Sequence, residues 1–208
     1  MPDPAQSVNE ALLAYLEERY QEHFQYLSPC GSSLDGSRRL LASCQSLPGK
    51  EVLAELADFR SQDRHFLDNY LALKYEEETL DFLQRCAREV FGEAKTYYSV
   101  TQRGLPPELS PRASFQEYLA DTSVPLAMRF ALKNSSLHQR EEMTRFAQLL
   151  SREGTRYSAA VYVVWDEDFQ QVRRDTLPVR LRRRDFVYHV KLSNTAEGLV
   201  IQWTQGGN

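Results

Sequence analysis

The sequence predicts an α+β protein of two helix-plus-antiparallel-sheet (αβββ-type) subdomains, on three observations. A helical stretch at residues 7–22 is followed by apolar runs at 24–28, 38–46 and 51–59. The same order returns with a helical stretch at 137–153 and runs at 157–165, 179–193 and 199–204. Turn-forming residues separate the runs, which favours antiparallel meanders over crossovers.

The first helix is signalled by Ser7-Val8-Asn9-Glu10, a capping box in which each side chain satisfies the other residue's amide. Val8, Leu12, Tyr15, Leu16 and Tyr20 then recur every three or four residues, leaving Glu17, Glu18 and Arg19 for water. The cluster at 32–36 predicts one hairpin turn, and Leu47-Pro48-Gly49-Lys50 predicts the next. A second helix is expected over 68–91, with Asp68 as its N-cap and Gly92 as its stop. Leu71, Tyr75, Thr79, Phe82, Leu83, Cys86 and Val90 would line its buried side. A strand at 95–101 should send Tyr97 and Tyr98 to opposite faces. Ser114 is placed to cap a short helix to Leu119. Leu126, Met128, Phe130 and Leu132 alternate with Ala127, Arg129, Ala131 and Lys133, the pattern of a half-buried strand.

Residues 104–114 hold three prolines and one glycine, so the expected division is a subdomain at 1–103, a linker at 104–114 and a second subdomain at 115–208. Leu12, Leu16, Phe82, Leu83, Phe146, Leu150, Val161 and Val163 are the expected core. With 208 residues, 42% of them hydrophobic, the chain can bury such a core, and the composition excludes disorder. The net charge of −4 is uneven: residues 1–100 carry 10 basic and 17 acidic groups, whereas residues 101–208 carry 15 and 12.

No apolar run reaches the ~20 residues that span a bilayer. The start Met1-Pro2-Asp3-Pro4 has neither the basic nor the apolar part of a signal peptide, so the expectation is a cytoplasmic protein, or an extracytoplasmic one if a leader has been removed. Cys30, Cys44 and Cys86 show no CxxC spacing and predict no zinc site. In a hairpin centred near Leu34, Cys44 would face Phe24 and Cys30 would face Arg38, which offsets the two thiols and argues against a disulfide.

Three features could form sites. Arg173, Arg174, Arg180, Arg182, Arg183 and Arg184 precede Phe186, Tyr188 and Lys191. Guanidinium groups beside flat rings suit single-stranded nucleic acid, but the simpler reading is a strand whose solvated arginines guard a sheet edge. Asp166 and Asp168 could hold a hard cation at a strand end, although a hairpin turn explains them with fewer demands. His189, beside Tyr188 in an apolar strand, is the one histidine placed to enter a sheet-lined pocket and serve as a catalytic group. His23, His65 and His138 form no HExxH or HxH pattern with it.

Two resemblances bear on these readings. From residue 125 to 205 the order strand, helix, strand, strand, strand resembles cystatin-like and NTF2-like arrangements, which implies a curved sheet wrapped on a helix. The stretch from Leu12 to Phe24, of the form Leu-x-x-x-Leu-x-x-Arg-Tyr-x-x-x-Phe, and the later Phe66-Leu67-Asp68-Asn69-Tyr70-Leu71-Ala72-x-Lys74-Tyr75 resemble uncharacterised lipoprotein-like families of Gram-positive bacteria. That resemblance implies an exported domain and no assigned activity. The sequence reading is therefore a non-catalytic binding or interaction module for a protein or small ligand, with no cofactor and no metal. Its alternatives are a small hydrolase-like or isomerase-like enzyme at His189 and a weak nucleic-acid binder using the arginines.

Overall fold

A computed structural model describes residues 4–32, 37–57, 65–100, 109–121, 126–134, 140–152, 154–174, 176–177, 183 and 185–205. The fold is α+β, with two sheets in which antiparallel pairing dominates. The chain divides into two compact units, Met1–Tyr75 with Val100–Ser114 and Glu76–Ser99 with Phe115–Asn208. Among the described residues no helix is long and apolar enough to cross a membrane.

In the first unit, helix α1 (Pro4–Tyr20) lies on a four-stranded meander, β1 (Phe24–Ser32), β2 (Arg38–Cys44), β3 (Val52–Ala57) and β4 (His65–Asp68), in the order β1-β2-β3-β4. The predicted stripe is buried: Val8, Leu12 and Leu16 join Phe24, Leu40, Ala42, Val52, Ala54 and Leu56 in the core. Burying each of these leucines is worth about 1.5–3 kcal/mol relative to exposure. The helix begins at Pro4 rather than at Ser7, and Pro4 suits a first turn whose amides have no intrahelical partner. The β2–β3 hairpin closes where the sequence placed it, with the Lys50 amide donating to the Leu47 carbonyl at 3.1 Å and Gly49 at φ +76°. The predicted turn at 33–36 lies outside the described residues. Phe24 faces Cys44 as expected, but Ser32, not Cys30, faces Arg38, because β1 carries two register shifts. All three cysteines are free.

The expected helix from Asp68 to Phe91 is instead three elements: β4, α2 (Tyr70–Lys74) and α3 (Glu76–Phe91). Asp68 ends a strand. The chain turns at Asn69, whose side-chain oxygen accepts from the Leu53 amide at 2.8 Å and whose own amide donates to the Leu53 carbonyl at 3.2 Å. At the far end Gly92, at φ +71°, stops α3 as predicted, in a left-handed conformation that costs glycine least.

The second unit has the strand order β5-β6-β7-β8-β9: β5 (Lys95–Tyr98), β6 (Leu126–Lys133), β7 (Tyr157–Val164), β8 (Tyr188–Thr195) and β9 (Gly198–Gln205). Here the two halves of the sequence cease to echo each other. β6 and β7 are parallel and joined through α5 (Arg140–Ser151), a crossover that the antiparallel expectation did not contain. The alternation in β6 is as predicted, with Leu126, Met128, Phe130 and Leu132 buried. Helices α3 and α5 pack together, and Phe146 of α5 meets Phe91 and Phe130 edge-on, each pair of ring centroids 4.9 Å apart. The short helix α4 (Phe115–Ala120) follows Ser114 as expected. Of the predicted core, Leu12, Leu16, Leu83, Phe146, Leu150, Val161 and Val163 are buried, whereas Phe82 is half-exposed on α3.

Helix α3 and strand β5, which the sequence division grouped with the N-terminal half, belong to the second unit, where β5 pairs with β6. Of the expected linker, residues 109–114 are described and go with the first unit.

Candidate functional site

The second sheet has two unlike faces. One carries the core under α3 and α5. On the other, the segment after β7 folds back, starting with α6 (Asp166–Phe169), and builds a small second core from Ala131, Val164, Phe169, Val172, Leu177 and Phe186, with Tyr97 and Tyr162 against it. Lys95 fastens this segment by donating to the Gln170 and Val172 carbonyls at 2.9 and 3.0 Å, and the Tyr97 hydroxyl donates to Val172 at 2.8 Å.

Beside that small core the sheet stays open, forming a groove of about 320 Å³, near the lower end of ligand-binding cavities. Its shape follows from residue size and register. Ala127 pairs with Ser158 and Arg129 with Ala160, so small side chains set a low floor. Tyr97 and Tyr162 rise from the neighbouring positions on β5 and β7. Three cations reach this space: Arg129 from β6, Lys191 from β8 and Arg174 from the folded-back segment. Among the described residues no Asp or Glu belongs to its lining. Among the described residues no carboxylate pairs with Arg129, Lys191 or Arg174, and all three are exposed. Their charge is felt nearby. Burial raises the Tyr162 hydroxyl above its ordinary pKa while Arg129 opposes the rise, and burial together with Lys191 lowers that of His189.

The sites expected from sequence meet different fates. His189 lies one register position from the groove, with its ring stacked on Tyr162 at 5.5 Å and edge-on to Phe186 at 5.3 Å. Its buried Nδ1 has no hydrogen-bond partner, and the charged neighbour acting on it is Lys191 rather than a carboxylate. This geometry makes it a neutral aromatic wedge at neutral pH. Asp166 and Asp168 sit in the first turn of α6 rather than in a hairpin turn, where carboxylates complement the helix N-terminus. Among the described residues no three His, Cys, Asp or Glu side chains come together as a metal set. Arg183 is exposed with helical backbone and β8 begins at Tyr188, while residues 179–182 and 184 of the expected strand lie outside the described residues. Arg180, Arg182 and Arg184 lie outside the described residues, while Arg173 and Arg174 are exposed.

Sequence reasoning missed Arg129 and Lys191 as a pair. Each occupies an outward position of an alternating strand, and that was the available signal. Bringing them two strands apart required the β6-β7-β8 order.

The first unit holds a second polar cluster of another kind. The buried Asp68 carboxylate accepts from the Tyr15 hydroxyl at 2.8 Å, the Tyr20 hydroxyl at 2.7 Å and the Tyr70 amide at 3.0 Å. Arg19 Nε stands 3.5 Å from it, and Nη2 of the same guanidinium donates to the Leu109 carbonyl at 2.5 Å. Glu22 continues the cluster by accepting from the Ser46 amide and hydroxyl at 2.7 and 2.6 Å. Burial beside Asp68 drives the Tyr20 hydroxyl far above its usual pKa, so it stays a donor. With its acceptor oxygens filled by this chain's own donors, the cluster is a lock between α1, β4 and α2.

No protein-family model matches the chain, and no curated protein matches it. A solved structure, a DUF5037 family protein from Ruminococcus gnavus, is similar over 92% of this chain and 94% of that one, at 10% identity and a TM-score of 0.46. A likeness at that level carries no argument about fold or function. Neither the lipoprotein-like nor the cystatin-like resemblance is shown by these comparisons.

Proposed function

We propose that this chain is a non-catalytic binding module and that the groove on the open face of its second sheet takes a small anionic ligand bearing phosphate or carboxylate groups. The observation that supports this reading is the convergence of Arg129, Arg174 and Lys191, none of them paired with a carboxylate among the described residues, on a low floor of Ala127, Ser158 and Ala160. Folding alone gives no reason to gather three like charges, since each repels the others and needs a counter-charge. Tyr97 and Tyr162 would pack the apolar part of such a ligand, and the Ser158 hydroxyl offers a neutral hydrogen bond.

Calorimetric titration of the whole chain with inorganic phosphate, pyrophosphate and citrate at low ionic strength tests the reading. Binding of at least one is expected, weakening with salt. Replacing Arg129 and Lys191 together by Ser should reduce that affinity by at least about tenfold, because a hydrogen bond to a charged group contributes about 1.5–3 kcal/mol. Silence from all three anions at about 1 mM, near the weak end of measurable affinity, or binding that the double substitution leaves intact, would sink the proposal. An oligonucleotide run alongside should bind only in the ~10⁻⁴–10⁻⁶ M range at about 150 mM salt, and nanomolar affinity would favour nucleic acid instead.

A further inference from the structure

Among the described residues four strands end a sheet: β1 and β4 in the first unit, β5 and β9 in the second. A free edge is a row of unpaired amides and carbonyls, and proteins protect such edges with short length, charge, proline or bulges. Three of the four are protected in these ways. β1 contains Pro29 and two register shifts. β4 has only four residues. β5 also has four residues, begins with Lys95, and is tied down by the carbonyls after α6.

β9 has none of these protections. It runs eight residues, Gly-Leu-Val-Ile-Gln-Trp-Thr-Gln, without charge or proline, and its ladder with β8 is regular from Tyr188↔Gln205 to Thr195↔Gly198. Three of its large apolar side chains are also exposed. Leu199 and Val200 are each 39% exposed and Trp203 is 38% exposed, half of the six large hydrophobic residues that stand out from the described surface. Leu199, Ile201 and Trp203 share the face that turns toward α5, yet α5 does not bury them.

We infer that β9 pairs antiparallel with β9 of a second copy of this chain, joining two five-stranded sheets into one of ten strands across a two-fold axis. The second copy is the occupant that fits because β9 is uncharged along its whole length. Pairing it with itself sets no like charges opposite one another, which is the usual penalty in a symmetric ladder. A two-fold axis normal to the sheet also keeps faces together, so Leu199, Ile201 and Trp203 of one copy continue into those of the other and cover each other. The strand is about 27 Å long at ~3.4 Å per residue, so the contact is narrower than the ~800 Å² per partner of a standard stable interface. The expected association is therefore in the micromolar range.

Sedimentation equilibrium of the whole chain, followed from low to high micromolar concentration, should show a monomer passing to twice its mass. Leu199→Lys with Val200→Lys, two exposed positions on that strand, should abolish the dimer while the far-UV circular dichroism and thermal melt stay as in the parent. In a Trp165→Phe background, Trp203 emission should shift to shorter wavelength as the parent protein is concentrated, and should not shift with the lysine pair present. A parent that stays monomeric throughout, or a dimer that survives the lysine pair in a folded protein, overturns the inference. Should the lysine pair fail to fold, the concentration-dependent Trp203 shift decides alone, and its absence counts against β9 pairing.

Discussion

Replacing Asp68 with Ala is expected to destabilise the protein by about 3–5 kcal/mol, the range for removing one partner of a buried charged pair. Asp68 is 3% exposed, and its carboxylate joins α1, β4 and α2. Its loss strands two tyrosine hydroxyls and the Tyr70 amide that donate to it at 2.7–3.0 Å. It also leaves Arg19, only 12% exposed at its side chain, without the carboxylate at 3.5 Å. Each stranded donor then bears its desolvation cost of about 1–3 kcal/mol unless water enters. Asp68→Asn keeps one acceptor oxygen and most of the shape, so its loss should be clearly smaller. Denaturant titration followed by far-UV circular dichroism reads both variants, with the midpoint moving at constant slope. Equal effects for Ala and Asn would show that the charge on Asp68 is not what Arg19 and the tyrosines require.

The same residue shows where sequence reading fell short. Residues 66–75 have helical spacing throughout, and Asp68 looks like a helix cap because an Asp before an apolar run so often is one. Tertiary context decides otherwise, since β3 offers an open edge that His65–Asp68 pairs with, and α2 can begin only after Asn69. The parallel pair was hidden for a different reason. Alternation in β6 reports which residues face the core and is blind to strand direction. The long connection holding α5 between Lys133 and Tyr157 was the legible sign, because an antiparallel hairpin needs only a few residues and a parallel return needs a crossover. By contrast α1 and β6 were legible because one period dominates each. The groove was half legible. Arg129 was correctly placed on the outer face of its strand, but its neighbours depend on pairings among four strands that no local pattern encodes.

The second large effect separates two phenylalanines that the sequence treated alike as core candidates on helices. Phe146 is fully buried and packs edge-on against Phe91 and Phe130, so Phe146→Ala should cost about 3–5 kcal/mol through lost transfer energy and the cavity left behind. Phe82, half-exposed on α3, loses less contact and leaves no closed cavity, so Phe82→Ala should cost about 1 kcal/mol, near the average for a point substitution. The reason is angular. The buried side of α3 is set by Thr79, Leu83, Cys86 and Phe91, and Phe82 lies one residue around the helix from Leu83, at the margin of that stripe. Both tryptophans, Trp165 and Trp203, belong to the unit that contains Phe82 and Phe146, so denaturation followed by tryptophan fluorescence reads the two variants directly. Phe146→Leu, which keeps much of the volume, should recover most of the loss. Similar midpoints for Phe82→Ala and Phe146→Ala would mean that α3 is rotated from the orientation described, with Phe82 inside and the Phe91–Phe146 contact open to solvent.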